Sequence, residues 1–199
     1  MKNFVVLIIL YTVLLSCKEQ KRYIPNLTEF QKELNASFKD VTKSPLTKND
    51  RQNFVSLDFF DFDSSYVVKA VLIPSSKDSI FNMKTNTDRM HSYNKYGKIK
   101  FKLYENYFEL NVYKDNELIT DQTDDELFLP FYDNTNGITT YSGGRYIDLK
   151  FSKDSIIYID FNKAYNPYCV YNYKFSCPIV PSENYLELDI RAGVKDFKK

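Results

Sequence analysis

The chain has 199 residues, with 27 Lys and Arg against 26 Asp and Glu, a formal net charge of +1 and a single His. That balance, with no basic cluster alternating with aromatics, excludes a groove that tracks phosphates, and nucleic-acid partners with it. Seventeen Tyr and 16 Phe without one Trp fit pleated, half-buried surfaces, so the composition points to strands.

Residues 1–16 carry Lys2, then an unbroken apolar-and-small run from Phe4 to Ser16 and no acidic residue, the pattern of a secretory signal peptide. The run is shorter than the roughly 20 residues that span a bilayer core, so no permanent transmembrane helix is expected. Leu14 to Cys17, "LLSC", resembles the bacterial lipobox, in which the Cys becomes the lipidated first residue; the alternative is a plain cleaved leader. A diacylglycerol plus an amide-linked chain such as palmitate supplies the several acyl chains that stable anchoring takes. Removal of residues 1–16 takes away Lys2 and leaves cations and anions equal. No Asp follows Cys17 in "KEQKR", which favours the outer membrane of a Gram-negative cell envelope. Residues 17–25 read as lipidated Cys and tether, and 26–199 as one β-rich domain, large enough to bury a core.

Leu27, Phe30, Leu34 and Phe38 recur at helical spacing and predict one amphipathic helix over about 27–39, with Asn26 as N-cap and Glu29 closing a capping box. Its expected role is to cover an end or face of a sheet. From Asn53 the period changes to two. Segments 53–60, 65–73, 79–85, 98–104, 107–114, 145–151, 155–161 and 185–192 read as strands separated by polar turns. Eight such segments without helical pattern between them predict an antiparallel β-sandwich or barrel. Two hairpins are expected, 98–103 with 106–114 and 145–151 with 155–160.

Residues 114–126 set six carboxylates against one Lys, but without the alternating Asp register and terminal Glu of a calcium loop; Asp133 to Gly137 fails the same test, and both read as solvated loops. His91 has neither a nucleophile elbow nor a set of zinc ligands in sequence, and reads as a surface or satisfied strand residue. Neither a metal nor a cofactor is expected. Gly143 and Gly144 before Arg145 permit a tight turn, with Arg145 either paired internally to Asp133, Asp148, Asp160 or Glu183, or offering its fork to a ligand. Cys169 and Cys177 leave three alternatives: a disulfide, two free buried thiols, or a reactive or metal-bound thiol. Three prolines, Pro167, Pro178 and Pro181, stiffen the same loop.

The stretches "FYDNTNGITTYSGGRYIDL", "IDFNKAYNPYCVYN", "SCPIVPSEN" and "IRAGVK", in that order, resemble the bacterial and archaeal domain-of-unknown-function family numbered 1684. The resemblance maps onto Asp133, Thr135, Gly137, Thr140, Tyr141, Gly144, Arg145, Tyr146, Asp160, Asn162, Tyr165, Asn166, Pro167, Cys169, Cys177, Pro178, Pro181 and Asn184. Ser142 and Val194 depart from it, where many members have Gly and Glu. It implies a β-rich domain and no particular reaction, and a buried thiol pair would serve members with or without an export leader.

The hairpin expectation places Arg145, Asp160, Asn162, Glu183 and Asn184 at one sheet edge or barrel mouth, with Asp133, Tyr141, Tyr165 and Asn166 near it, as a ligand clamp or as a structural cluster. The leading functional expectation is a lipid-anchored binding or accessory module, for a small molecule or an envelope protein. Two alternatives stand beside it: an envelope hydrolase with Asp160 and Glu183 as acid and base, and a structural subunit of an outer-membrane assembly.

Overall fold

The structure, a computed structural model, describes residues 27–76, 79–117, 125–151 and 155–198. The leader, Cys17, the tether and Asn26 lie outside the described residues, as do residues 118–124 of the acidic stretch. Helix α1, Glu29–Lys39, begins two residues later than the sequence spacing predicts, because Thr28 takes the N-cap. The Thr28 hydroxyl accepts from Gln31 N–H at 3.3 Å while Thr28 N–H donates to Gln31 Oε1 at 3.0 Å, the reciprocal pair that had been expected of Asn26 and Glu29. A second short helix, α2, Lys48–Asn53, follows Thr47 as its cap.

Eight strands are described: β1 Val67–Pro74, β2 Ile80–Lys84, β3 Met90–Leu103, β4 Asn106–Asp115, β5 Glu126–Asp133, β6 Arg145–Lys150, β7 Ile156–Asp160 and β8 Tyr185–Leu186. They form one sheet in the order β6-β5-β4-β3-β1-β7, with β2 added to β3 and the short β8 running parallel to the end of β5. The remaining pairings are antiparallel, and the sheet curls into a half-barrel around one core. The mainly β, antiparallel reading therefore holds, with curled half-barrel the observed form. The expected hairpin joining β3 and β4 is present, turning through Tyr104 at φ 53°.

Three strand expectations are corrected, one of them 185–192, of which only Tyr185–Leu186 is strand. Asn53 ends helix α2, and residues 54–60 are extended but join no ladder beyond a bridge from Phe59 to Val194. Their polar backbone is spent elsewhere: Leu57 N–H donates to Asn35 Oδ1 of α1 at 2.8 Å and Phe60 N–H to Gly193 O at 3.0 Å. The 145–151 and 155–160 hairpin does not form, because β6 pairs with β5 and β7 with β1. The two lie at opposite ends of the strand order and face each other across the opening of the half-barrel. Tyr146 and Tyr165 exchange backbone bonds at 2.9 and 3.0 Å, so the segment after β7 lines that opening.

Alternation sets the two faces. Leu127, Leu129 and Phe131 of β5 and Ile147 and Leu149 of β6 turn inward to join Ile99, Leu110, Val112, Ile159 and Phe161 in the core, each worth about 1.5–3 kcal/mol on full burial. Their sequence neighbours Phe128, Tyr146 and Asp148 must then face outward.

Candidate functional site

On that outer face the rings form a continuous floor. His91 stacks on Tyr93 at 4.6 Å between centroids, Tyr93 on Phe128 at 5.3 Å, Phe128 meets Tyr146 edge-on at 4.8 Å, and Tyr146 meets Tyr165 at 5.8 Å. Three strands supply it: His91 and Tyr93 from β3, Phe128 from β5, Tyr146 from β6. Phe30 and Leu34 of α1 form one wall and the loop carrying Pro167, Tyr168, Phe175, Cys177 and Pro178 the other, enclosing a groove of about 510 Å³. Met83, Tyr93 and Tyr113 pack with Phe81 and Phe128 as a small second core beneath it.

The polar groups of the groove sit around this aromatic floor. Tyr165 hydroxyl donates to Asp148 at 2.9 Å to either carboxylate oxygen. Asp148 is an exposed residue among those that line the groove, and the protein packed around its carboxyl holds it above the usual range, opposed by the Tyr165 bond and aided by the neighbouring Glu126 charge. Burial, and then the charge of Asp148, hold Tyr165 protonated. Tyr93 and Tyr146 are likewise pushed up, chiefly by burial, so the phenols serve as neutral donors and apolar surface. At the other end His91 Nε2 lies 2.9 Å from Asp115, and Arg89 pairs with Glu117.

Among the described residues no group of three or more His, Cys, Asp or Glu side chains is placed to hold a metal ion. The arrangement offers shape, stacking surface and carboxylate acceptors.

The residues singled out from sequence divide differently. Arg145 is fully buried and its partner is Asp133, at 2.9 Å. Its guanidinium also donates to Ile190 O at 2.8 Å and to Ala192 O, and lies over the Phe131 ring. Burial draws its pKa down while the Asp133 charge pulls it back up. Asp133 in turn accepts from Thr135 N–H, Thr135 hydroxyl and Ile190 N–H. The group is a closed pin that fastens the C-terminal segment to the sheet, with no opening for a ligand.

Asp160 takes no part in it: its carboxylate accepts from Asn162 N–H and side chain at 3.0 Å, and Asn162 reaches Asp63 O at 2.9 Å. Asn184 spans β4 and β5, accepting from Asn111 N–H at 2.9 Å and donating to Asn111 O and Pro130 O. Asn166 donates to Lys195 O at 2.9 Å. Glu183 is exposed, and neither it nor Asp160 lines the groove. Of the residues predicted to cluster, Tyr165 alone lines the groove, where Cys177 joins it. Cys169 and Cys177 are free thiols in contact, Cys169 N–H lying 3.1 Å from Cys177 Sγ, with Tyr141 hydroxyl also bonded to Cys169.

Sequence reasoning missed the aromatic floor because β5 escaped it. One signal was present: "RYIDLK" alternates Tyr146 and Asp148 against Ile147 and Leu149, an outward face with a large ring that solvent alone does not favour.

No curated protein matches the chain. It is similar to the solution NMR structure of an uncharacterized protein of Haloarcula marismortui, with 32% identity and a TM-score of 0.66, over 83% of this chain and 89% of that one. A family profile described as "Protein of unknown function (DUF1684)" matches residues 52–195, from α2 to the C-terminal segment that Arg145 fastens. Since that span takes in the whole sheet and most of the groove, the protein belongs to the DUF1684 family.

Proposed function

We propose that the protein is a lipid-anchored cell-envelope module that binds a small organic ligand in the groove over β5 and β6. The groove carries the reading. At about 510 Å³ it is in the range of small-molecule pockets, and it combines an apolar, ring-lined interior with a few placed polar groups. Stacked tyrosine and phenylalanine rings favour a ligand with a flat or apolar face. Three carboxylates, Asp115, Glu126 and Asp148, line it against the two cations Arg89 and Lys114, an acidic excess that favours a cationic or hydroxyl-bearing head over an anionic one. The leader pattern of residues 1–16 and the "LLSC" tetrad support export and attachment through Cys17, on the outer membrane of a Gram-negative cell.

The absence of Trp from the chain makes the test direct. A Phe30→Trp variant places a single indole in the groove wall, and its fluorescence is titrated with benzylammonium, benzyl alcohol and benzoate. Saturable change with benzylammonium or benzyl alcohol, weakened about tenfold by Asp148→Asn for the cation, supports the reading. A groove that answers none of the three, or benzoate best, rejects it.

A further inference from the structure

We infer that Cys169 and Cys177 form an exchangeable dithiol that reacts with small-molecule disulfides, with Cys169 as the attacking sulfur and Cys177 as the resolving one. This activity is independent of the ligand groove, although Cys177 lines one of its walls.

Three observations carry it. First, the two thiols are held together by separate anchors. Cys177 N–H donates to Asn86 Oδ1 at 2.6 Å and Asn86 N–H to Cys177 O at 3.0 Å, while Thr85 bridges to Pro178. Cys169 sits in the turn Tyr168–Val170, where Val170 N–H bonds Pro167 O at 3.1 Å and Tyr171 N–H bonds Tyr168 O at 3.0 Å. Both ends of the intervening loop are thus fixed before any bond forms between the sulfurs.

Second, access is unequal: Cys169 is half-buried, whereas Cys177 is 7% exposed. An incoming disulfide meets Cys169 first. Third, the contact between the two sulfurs sets them apart: Cys169 N–H donates to Cys177 Sγ at 3.1 Å, and the Cys177 thiol, with the Tyr141 hydroxyl, bonds toward Cys169, whose pKa falls to about 7 with the Cys177 bond as the leading cause. Cys177 moves the opposite way, pushed up by the same pairing and by burial. One sulfur is prepared as thiolate and the other kept as thiol, the division of labour an exchanging pair needs.

The chemistry balances without a further reactant. The Cys169 thiolate attacks one sulfur of R–S–S–R, forming the Cys169–S–S–R bond and breaking the old one, and RS⁻ leaves to take up a proton. Cys177 then loses its proton as it attacks the Cys169 sulfur and expels the second RS⁻. Two protein thiols are oxidised by two electrons to one disulfide, and the substrate is reduced to two molecules of RSH.

The test uses the full-length chain, reduced in its native state, mixed with oxidised glutathione and acid-quenched at intervals for peptide mapping, so that Cys17 is read separately. The wild type is expected to pass through glutathione on Cys169 to a Cys169–Cys177 bridge. Cys177→Ser should accumulate the mixed disulfide on Cys169, and Cys169→Ser should leave Cys177 at least about tenfold slower. Both variants are first compared with wild type by near-UV circular dichroism. If either fails to fold, the position of the first glutathione in the wild type decides. First modification at Cys177 overturns the proposal. So does a native pair that glutathione leaves untouched while the denatured chain reacts, or a bridge that dithiothreitol cannot reduce without unfolding.

Discussion

Arg145 shows how a charged residue in a β-fold becomes a structural fastener. Its guanidinium has 0% exposure and meets Asp133 and the carbonyls of the 190–194 segment. A pair of this kind has a high desolvation cost, and its integrity matters more than its net worth. Arg145→Met should therefore cost about 3–5 kcal/mol, since it orphans a buried carboxylate and frees the C-terminal segment; equilibrium urea denaturation measures it. A loss below about 1 kcal/mol would mean that Asp133 finds other partners. Asp148 is the opposite case, a carboxylate whose pKa is raised above 3.8 by burial. The folded state therefore favours its protonated form, so its contribution to stability is complete below the ordinary carboxylate value and is lost as pH rises through the raised one. Asp148→Asn should gain on wild type across that interval, in urea melts taken from about pH 3 to pH 7. A difference that does not change with pH would show the side chain to be solvated.

At the scale of elements, legibility in the sequence depended on whether a segment has two unlike faces. β1 and β7 alternate and were readable. β5 was not, because Leu127, Leu129 and Phe131 enter the core while Phe128 and Pro130 lie beneath covering structure, leaving a run of apolar residues broken by a proline. Pro130 is accommodated because β4 pairs with β5 only at Tyr113 and Phe128, so no ladder bond to β4 calls for the N–H it lacks, and its carbonyl accepts from Asn184 at 2.7 Å. Segment 53–60 erred in the other direction, alternating well yet spending its N–H groups on Asn35 and Gly193. Motif residues such as Asn162, Asn166 and Asn184 were recognisable, but which backbone each one satisfies is a tertiary fact with no local trace. Gly97 marks where β3 changes partners, next to its register shift against β4. A Cβ there would stand 2.3 Å from Ile73 O, and since the obstacle is backbone of the paired β1, the strands must separate. Gly97→Ala should cost about 1–3 kcal/mol, read as a lowered urea midpoint; an unchanged midpoint would show that the bulge absorbs the methyl.

For the whole molecule, the proposed anchor and the proposed groove make a joint prediction. Among the described residues no helix is long and apolar enough to cross a membrane, and the chain beyond residue 16 has equal numbers of cations and anions, so it carries no net charge to draw it to anionic lipid. Acyl chains at Cys17 are the attachment proposed for it. Between Cys17 and Thr28 lie only enough residues to reach about 35–40 Å when extended, which sets how far α1, and with it the Phe30 wall of the groove, can stand from the bilayer. Cys17→Ser should move the protein from the membrane pellet to the soluble fraction of the exporting cell and leave its urea midpoint unchanged, because the described cores are built from residue 27 onward. Retention in the pellet after that single change would place the attachment elsewhere on the chain. Release together with a lowered midpoint would mean that the anchor also stabilises the fold.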